Sequence, residues 1–208
     1  MNLTKKNILQ NKLELNNLFF YCPICNINLY RDIKSDNILL TEKGDIKLCD
    51  FGSSKIMKEN SRSTPYVVGR LYHAPELILG YTDYNYKIDI FSVGCILCEL
   101  FALQPLFVGE IEGLQIFEYL TILGKPEKDY FKNFNLPEDY IKYFEKLEFK
   151  KIPDFSVLIN PNSFYSKKDI DLATDLILNM LNFDIDKRFS AEECLNHKFL
   201  KDVDIEDN

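Results

Sequence analysis

Histidine is scarce in this chain of 208 residues: only His73 and His197 carry an imidazole. That leaves little room for a histidine-rich zinc site or for Ser/His/Asp hydrolysis, which needs a histidine poised between two partners. Basic residues are also in short supply. Lys and Arg number 25 against 32 Asp and Glu, for a formal charge of −7, whereas nucleic-acid binders carry a basic face and membrane-surface proteins a Lys/Arg-rich amphipathic segment. Neither is present, so no nucleic-acid and no membrane partner is expected. Glycine and proline number eight each while hydrophobic residues make up 46%, which disfavours bulk disorder and supplies a core. At roughly 150 residues per domain, the length admits one or two domains.

Cysteine lacks the density of a disulfide scaffold. Cys22, Cys25, Cys49, Cys95, Cys98 and Cys194 read as reduced thiols of an intracellular protein, in cytoplasm and/or nucleus. Two Cys-x-x-Cys pairs, Cys22 with Cys25 and Cys95 with Cys98, have the spacing of zinc half-sites. They lie too far apart, and the second sits in an apolar helical stretch. No apolar run suited to a cleavable signal precedes Asn16 and Asn17. From Ile88 to Val108 the chain is mostly apolar, but Asp89, Glu99 and Gln104 interrupt it. Since each charge near a bilayer centre costs on the order of 3 kcal/mol, a buried core helix is the better reading.

Residues 1–29 are Asn-rich and contain no glycine. Beyond Tyr30 the patterns sharpen. Ile38-Leu39-Leu40 and Ile46-Lys47-Leu48 are strand-like runs around Thr41-Glu42-Lys43-Gly44-Asp45, a composition suited to a hairpin turn. Apolar spacing of three and four predicts helices over 85–103, 112–123, 137–147, 169–182 and 191–197. Two short strands followed by many helices suggest an α+β class with a helix-dominated lobe.

The informative stretch is Tyr30-Arg31-Asp32-Ile33-Lys34-Ser35-Asp36-Asn37, followed by Asp50-Phe51-Gly52 and then Ala74-Pro75-Glu76. In that order the three motifs resemble the catalytic loop, the metal-binding D-F-G and the A-P-E of protein kinases. The resemblance covers about residues 30–200, and implies the mainly α-helical C-terminal lobe of that fold. Phosphoryl transfer is mostly positioning of nucleophile, phosphates and Mg²⁺. Asp32 would orient or accept the substrate hydroxyl proton, and Lys34 would reach the transferring phosphate. Asn37 and Asp50 would offer oxygen ligands to Mg²⁺. The resemblance also makes Leu39 the floor under the adenine ring of ATP, with Cys49 beside it. It implies a buried Glu76–Arg188 ion pair, the alternative being an exposed pair worth about 0 to 1 kcal/mol. Asp89 would hold the catalytic loop by its backbone N–H groups.

Lys47 to Lys55 closely resembles the corresponding stretch of the glycogen synthase kinase-3 (shaggy) family of the CMGC group. Leu123-Gly124-Lys125-Pro126 resembles that group's insert. Tyr66 falls where that family carries its activation-loop phosphotyrosine, four residues before Arg70. Asp32 with Lys34 implies serine/threonine specificity. The family recognises pre-phosphorylated protein substrates through a basic pocket, of which Arg31 and Lys55 match two members; clustered cations are natural receptors for phosphate.

Four positions depart from the family pattern: Tyr30 replaces His, Ser35 replaces Pro, Phe91 replaces Trp and His73 replaces Arg, all read as packing or loop-shape positions. Upstream, the expected Gly-rich loop, strand Lys and helix Glu are missing; Lys5, Lys6, Lys12 and Glu14 have no matching context. The expectation is therefore a truncated catalytic domain: an atypical segment 1–29, a kinase C-lobe over 30–200 and an acidic tail 201–208, with the N-terminal β lobe largely absent. An alternative is a catalytically inactive docking or scaffold module presenting its helical lobe to partner proteins. A metal-dependent phosphatase or nuclease is disfavoured, because two-metal sites need ligands converging within about 4 Å.

Overall fold

A computed structural model of the chain describes residues 29–42, 46–55, 70–134, 136–148 and 166–201. Strands β1 (Ile38–Leu40) and β2 (Ile46–Leu48) pair antiparallel, Leu39 opposite Lys47. Turn residues 43–45 lie outside the described residues, as do 1–28 and 202–208. Leu29, at the end of the expected N-terminal segment, is buried in the core and bridges to Lys55. Seven α-helices follow among the described residues: α1 (Pro75–Ile78), α2 (Lys87–Ala102), α3 (Glu112–Leu123), α4 (Glu138–Lys146), α5 (Lys167–Met180), α6 (Ala191–Asn196) and α7 (Lys198–Lys201).

Helix α2 organises the lobe. It is apolar on every side, the pattern of a helix enclosed by others, and Ile88, Phe91, Val93, Leu97 and Phe101 are all buried. It packs on α5 where Gly94 leaves no room: a Cβ there would come within 3.0 Å of both Met180 and Leu181 side chains. Its end is set by Leu103, which adopts φ 58 and donates its N–H to the Glu99 carbonyl at 2.7 Å. No helix among the described residues is long and apolar enough to cross a membrane.

Two helices open on reciprocal caps, α5 two residues ahead of the start expected from apolar spacing and α6 at the expected Ala191. Ser166 with Asp169 opens α5, and Ser190 with Glu193 opens α6; each serine side chain accepts the N3 amide while the acid receives the serine amide. These reciprocal caps satisfy donors that a helix end otherwise leaves orphaned. Between α2 and α3, an aromatic cluster fills the core. Phe107 meets Tyr119 edge-on at 4.5 Å, and Phe91 meets Tyr119 at 5.6 Å. Free thiols lie in the same interior: Cys95 and Cys98 on α2 and Cys194 on α6 are buried, whereas Cys49 is half-buried. The partner cysteines of the first Cys-x-x-Cys pair fall outside the described residues.

Candidate active site

The site is built on a loop held from beneath. The Asp89 carboxylate, in the first turn of α2, accepts the backbone N–H groups of Tyr30 and Arg31, each at 2.8 Å. Arg31 adopts φ 72, a conformation that a non-glycine residue keeps only where its surroundings impose it. Loss of solvent pushes the Asp89 carboxyl up to about 6, against the two N–H groups that favour its charge. Ile33, 2% exposed, plugs the loop into the core. The chain then extends at Lys34 and turns through a short 3-10 helix, Ser35–Asn37.

That path gathers three of the side chains singled out in the sequence. Asp32 is 5% exposed, and its Oδ2 receives Lys34 Nζ at 2.9 Å and Asn37 Nδ2 at 3.0 Å. Asn37 Nδ2 also donates to the Asp32 carbonyl at 2.9 Å. A buried carboxylate needs such donors. The arrangement leaves a cationic head beside an acceptor, on a rigid turn.

Asp50 is brought alongside by the hairpin, because the Cys49 N–H donates to the Asn37 carbonyl at 3.0 Å. Asp50 is exposed and left-handed at φ 57, and its Oδ1 accepts the Gly52 N–H at 3.1 Å. A Cβ on Gly52 would press on that same oxygen, so glycine suits the close approach. Tyr30 braces the turn from below: its ring meets Phe51 edge-on at 5.3 Å, and its hydroxyl donates to the Cys49 carbonyl. As a metal site the donor set fits a hard divalent cation. Asn37 spends its amide nitrogen on Asp32 and so offers oxygen, as does Asp50. Among the described residues no group of three or more His, Cys, Asp and Glu gathers into a metal cage, in keeping with Mg²⁺, which binds one or two protein oxygens plus phosphates and water.

Leu39, the expected adenine floor, stands 53% exposed on β1, with Leu40 and Phe51 also exposed nearby in the sequence of the hairpin and turn. The two expected phosphate-binding cations lie on two segments that a backbone bridge, Leu29 with Lys55, holds side by side. Arg31 Nε donates to the Ser53 carbonyl at 2.6 Å, with Nη1 3.3 Å from the Tyr84 hydroxyl, and the Lys55 N–H donates to the Leu29 carbonyl at 2.8 Å. Tyr66 lies outside the described residues. Arg70 opens a 3-10 turn, Arg70–Tyr72.

Glu76 and Arg188 form a bidentate pair at 2.7 and 2.9 Å, both side chains 0% exposed. Two of the three remaining guanidinium hydrogens go to the Asn182 and Lys87 carbonyls, and the Phe91 ring lies 5.1 Å from the guanidinium carbon. The pair ties α1 to the loop after α5. Phe91 thus serves as a cation platform.

Sequence reasoning missed the contacts of Tyr30 and Ser35. Both were read as packing or loop-shape positions, yet each carries a hydrogen bond through its hydroxyl, Ser35 to Tyr72 at 2.8 Å. Tyr72, which did not stand out in the sequence, in turn reaches Glu99 at 2.8 Å, a residue noted there only as a charge interrupting an apolar run. The signal available was the departure itself, a hydroxyl where the family pattern has none at Ser35.

Catalytic-loop, D-F-G and A-P-E motifs on a helical lobe define the class, and comparison with known proteins agrees. Residues 20–200 match the protein kinase domain. Among similar curated proteins, the mitogen-activated protein kinase homolog NTF6 of Nicotiana tabacum is 40% identical over 83% of this chain and 44% of its own length. Glycogen synthase kinase 1 of Pyricularia oryzae is 38% identical over 84% of this chain and 42% of its own length. The serine/threonine-protein kinase RIM11/MSD1 of Saccharomyces cerevisiae is 35% identical over 93% of this chain and 48% of its own length. The chain belongs to the protein kinase family, with CMGC kinases, including those of glycogen synthase kinase type, among its relatives. It spans less than half the length of these curated relatives.

Proposed function

We propose that the protein acts in ATP-dependent phosphoryl transfer to serine or threonine hydroxyls of protein substrates. The observation that carries this reading is the Asp32–Lys34–Asn37 cluster with Asp50 one residue beyond the Asn37–Cys49 backbone link. Asp32 orients the attacking hydroxyl and receives its proton. Lys34 sits within reach of both the carboxylate and an incoming phosphoryl oxygen, so it neutralises charge where charge develops. Asn37 and Asp50 would hold Mg²⁺. Mg-ATP, which the family uses, supplies the phosphoryl donor and the charge neutralisation on its oxygens. The remainder of the reaction is positioning, and the loop is fixed for it by Asp89, Ile33 and Tyr30.

Primed substrates, already phosphorylated near the target, are the favoured class, supported by the similarity to glycogen synthase kinase-type relatives and by Arg31 and Lys55 on two segments bridged side by side. In a phosphorylation assay, Asp32→Asn and Asp50→Asn are each expected to reduce kcat by roughly 10²- to 10⁴-fold. Undiminished turnover in both would overturn the reading. Lys55→Ala is expected to raise KM for a primed peptide and leave an unprimed one unaffected.

A further inference from the structure

Ser35 is the first residue of the 3-10 turn, and Lys34 before it is extended at φ −155, ψ 162. Both features suit proline: the first helical position has a surplus N–H, and the residue before proline is driven to extended geometry. A proline ring would lock φ near −65° and stiffen the loop. Serine has no ring. Instead its hydroxyl lies 2.8 Å from that of Tyr72, which donates to Glu99 Oε2 at 2.8 Å. A phenol has one proton to give. Since Tyr72 spends it on Glu99, Ser35 is the donor to Tyr72, and the three groups form a chain polarised toward the carboxylate.

Tyr72 is a fixed post. It is 7% exposed, and its carbonyl accepts the buried Ser92 hydroxyl at 2.7 Å. The next carbonyl, of His73, accepts the Tyr119 hydroxyl at 2.6 Å. Helices α2 and α3 therefore clamp this segment on successive residues, immediately before the A-P-E motif. Ser35 lies between Lys34 and Asn37, the two side chains that hold Asp32.

We propose that Ser35 is a positioning residue, tethered through Tyr72 to Glu99, which replaces by hydrogen bonding the constraint of a proline ring and keys the catalytic turn to the segment entering A-P-E. Its effect on turnover rests on the kinase reading above; the tether itself does not.

Using the full chain, Ser35→Ala and Tyr72→Phe are each expected to lower kcat for peptide phosphorylation about fivefold, the scale of one lost hydrogen bond, with KM for peptide little moved. The double variant should be no worse than the weaker single one, and Ser35→Pro should recover most of what Ser35→Ala loses. Unchanged kcat in Ser35→Ala, multiplicative losses, or a Ser35→Pro as slow as Ser35→Ala would each overturn the role. In parallel, a double-mutant cycle on urea unfolding should show the two substitutions coupled roughly fivefold in the unfolding constant. If the parent chain transfers no phosphate, that result counts against the kinase reading of this chain alone, and this cycle decides the tether: coupling supports it, additivity overturns it.

Discussion

Asp89 holds two amides with a carboxylate whose own charge the site disfavours, and pH separates the two effects. Its folded-state value is raised to about 6 from the ordinary 3.8, so between those limits the native state keeps a proton that the unfolded chain releases. Stability from this group is therefore fully present below about pH 4 and is lost as pH rises through about 6. The unfolding free energy of the parent chain minus that of Asp89→Asn, followed by denaturant titration, should shrink from pH 4 to pH 7. A second test at this scale concerns Arg188. Arg188→Ala leaves the Glu76 carboxylate buried without its partner, and a loss of about 3 to 5 kcal/mol is expected in chemical denaturation. Pairing Arg188→Met with Glu76→Leu should recover only part of it, because the Asn182 and Lys87 carbonyls still lose their donor. Residue types at Asp32, Asn37 and Asp50 were readable from motif order. The Ser35–Tyr72–Glu99 chain was not, since its members lie 37 and 27 residues apart and nothing in the local sequence of any one of them points to the other two.

Helices of nine residues or more could be read from apolar spacing to within about two residues, as with α3 at Glu112–Leu123. Their burial repeats often enough to reveal a period. Helix α1, four residues long, and α7, also four, are too short for that. Left-handed Arg31 carries no composition signal either, because the Asp89 carboxylate rather than glycine holds its backbone, whereas left-handed Asp50 is held locally by the Gly52 N–H. The α2–α5 seam makes a measurable demand on Gly94. An alanine there gains about 1 kcal/mol of helix propensity but crowds Met180 and Leu181 at 3.0 Å, an overpacking cost of about 1 to 3 kcal/mol. A net loss near 1 kcal/mol is expected from urea midpoints. Gly109→Ala should lose more: its Cβ would fall 2.4 Å from the Gln115 backbone nitrogen, and no helix gain offsets the clash.

At the scale of the whole molecule, the proposed contact for the adenine ring, Leu39, is 53% exposed on β1, and an exposed contact binds nucleotide weakly compared with a cleft that encloses its ligand. Titration of the 208-residue chain with Mg-ATP is expected to give a Kd weaker than about 1 mM, the upper end of ordinary substrate affinities; a micromolar value would contradict this. The expected α+β class dominated by a helical lobe is what the described residues form.

The thiols inside that lobe give it a chemical clock. Burial holds Cys95 well above the ordinary thiol range and pushes Cys98 and Cys194 up to about 12, so at neutral pH they contribute almost no thiolate, the form that alkylating reagents attack. Cys95 and Cys98 lie on α2, and Cys194 lies on α6. Reaction of these three with iodoacetamide must wait for the helices to part, and their rate of carboxamidomethylation counts openings of the interior one molecule at a time.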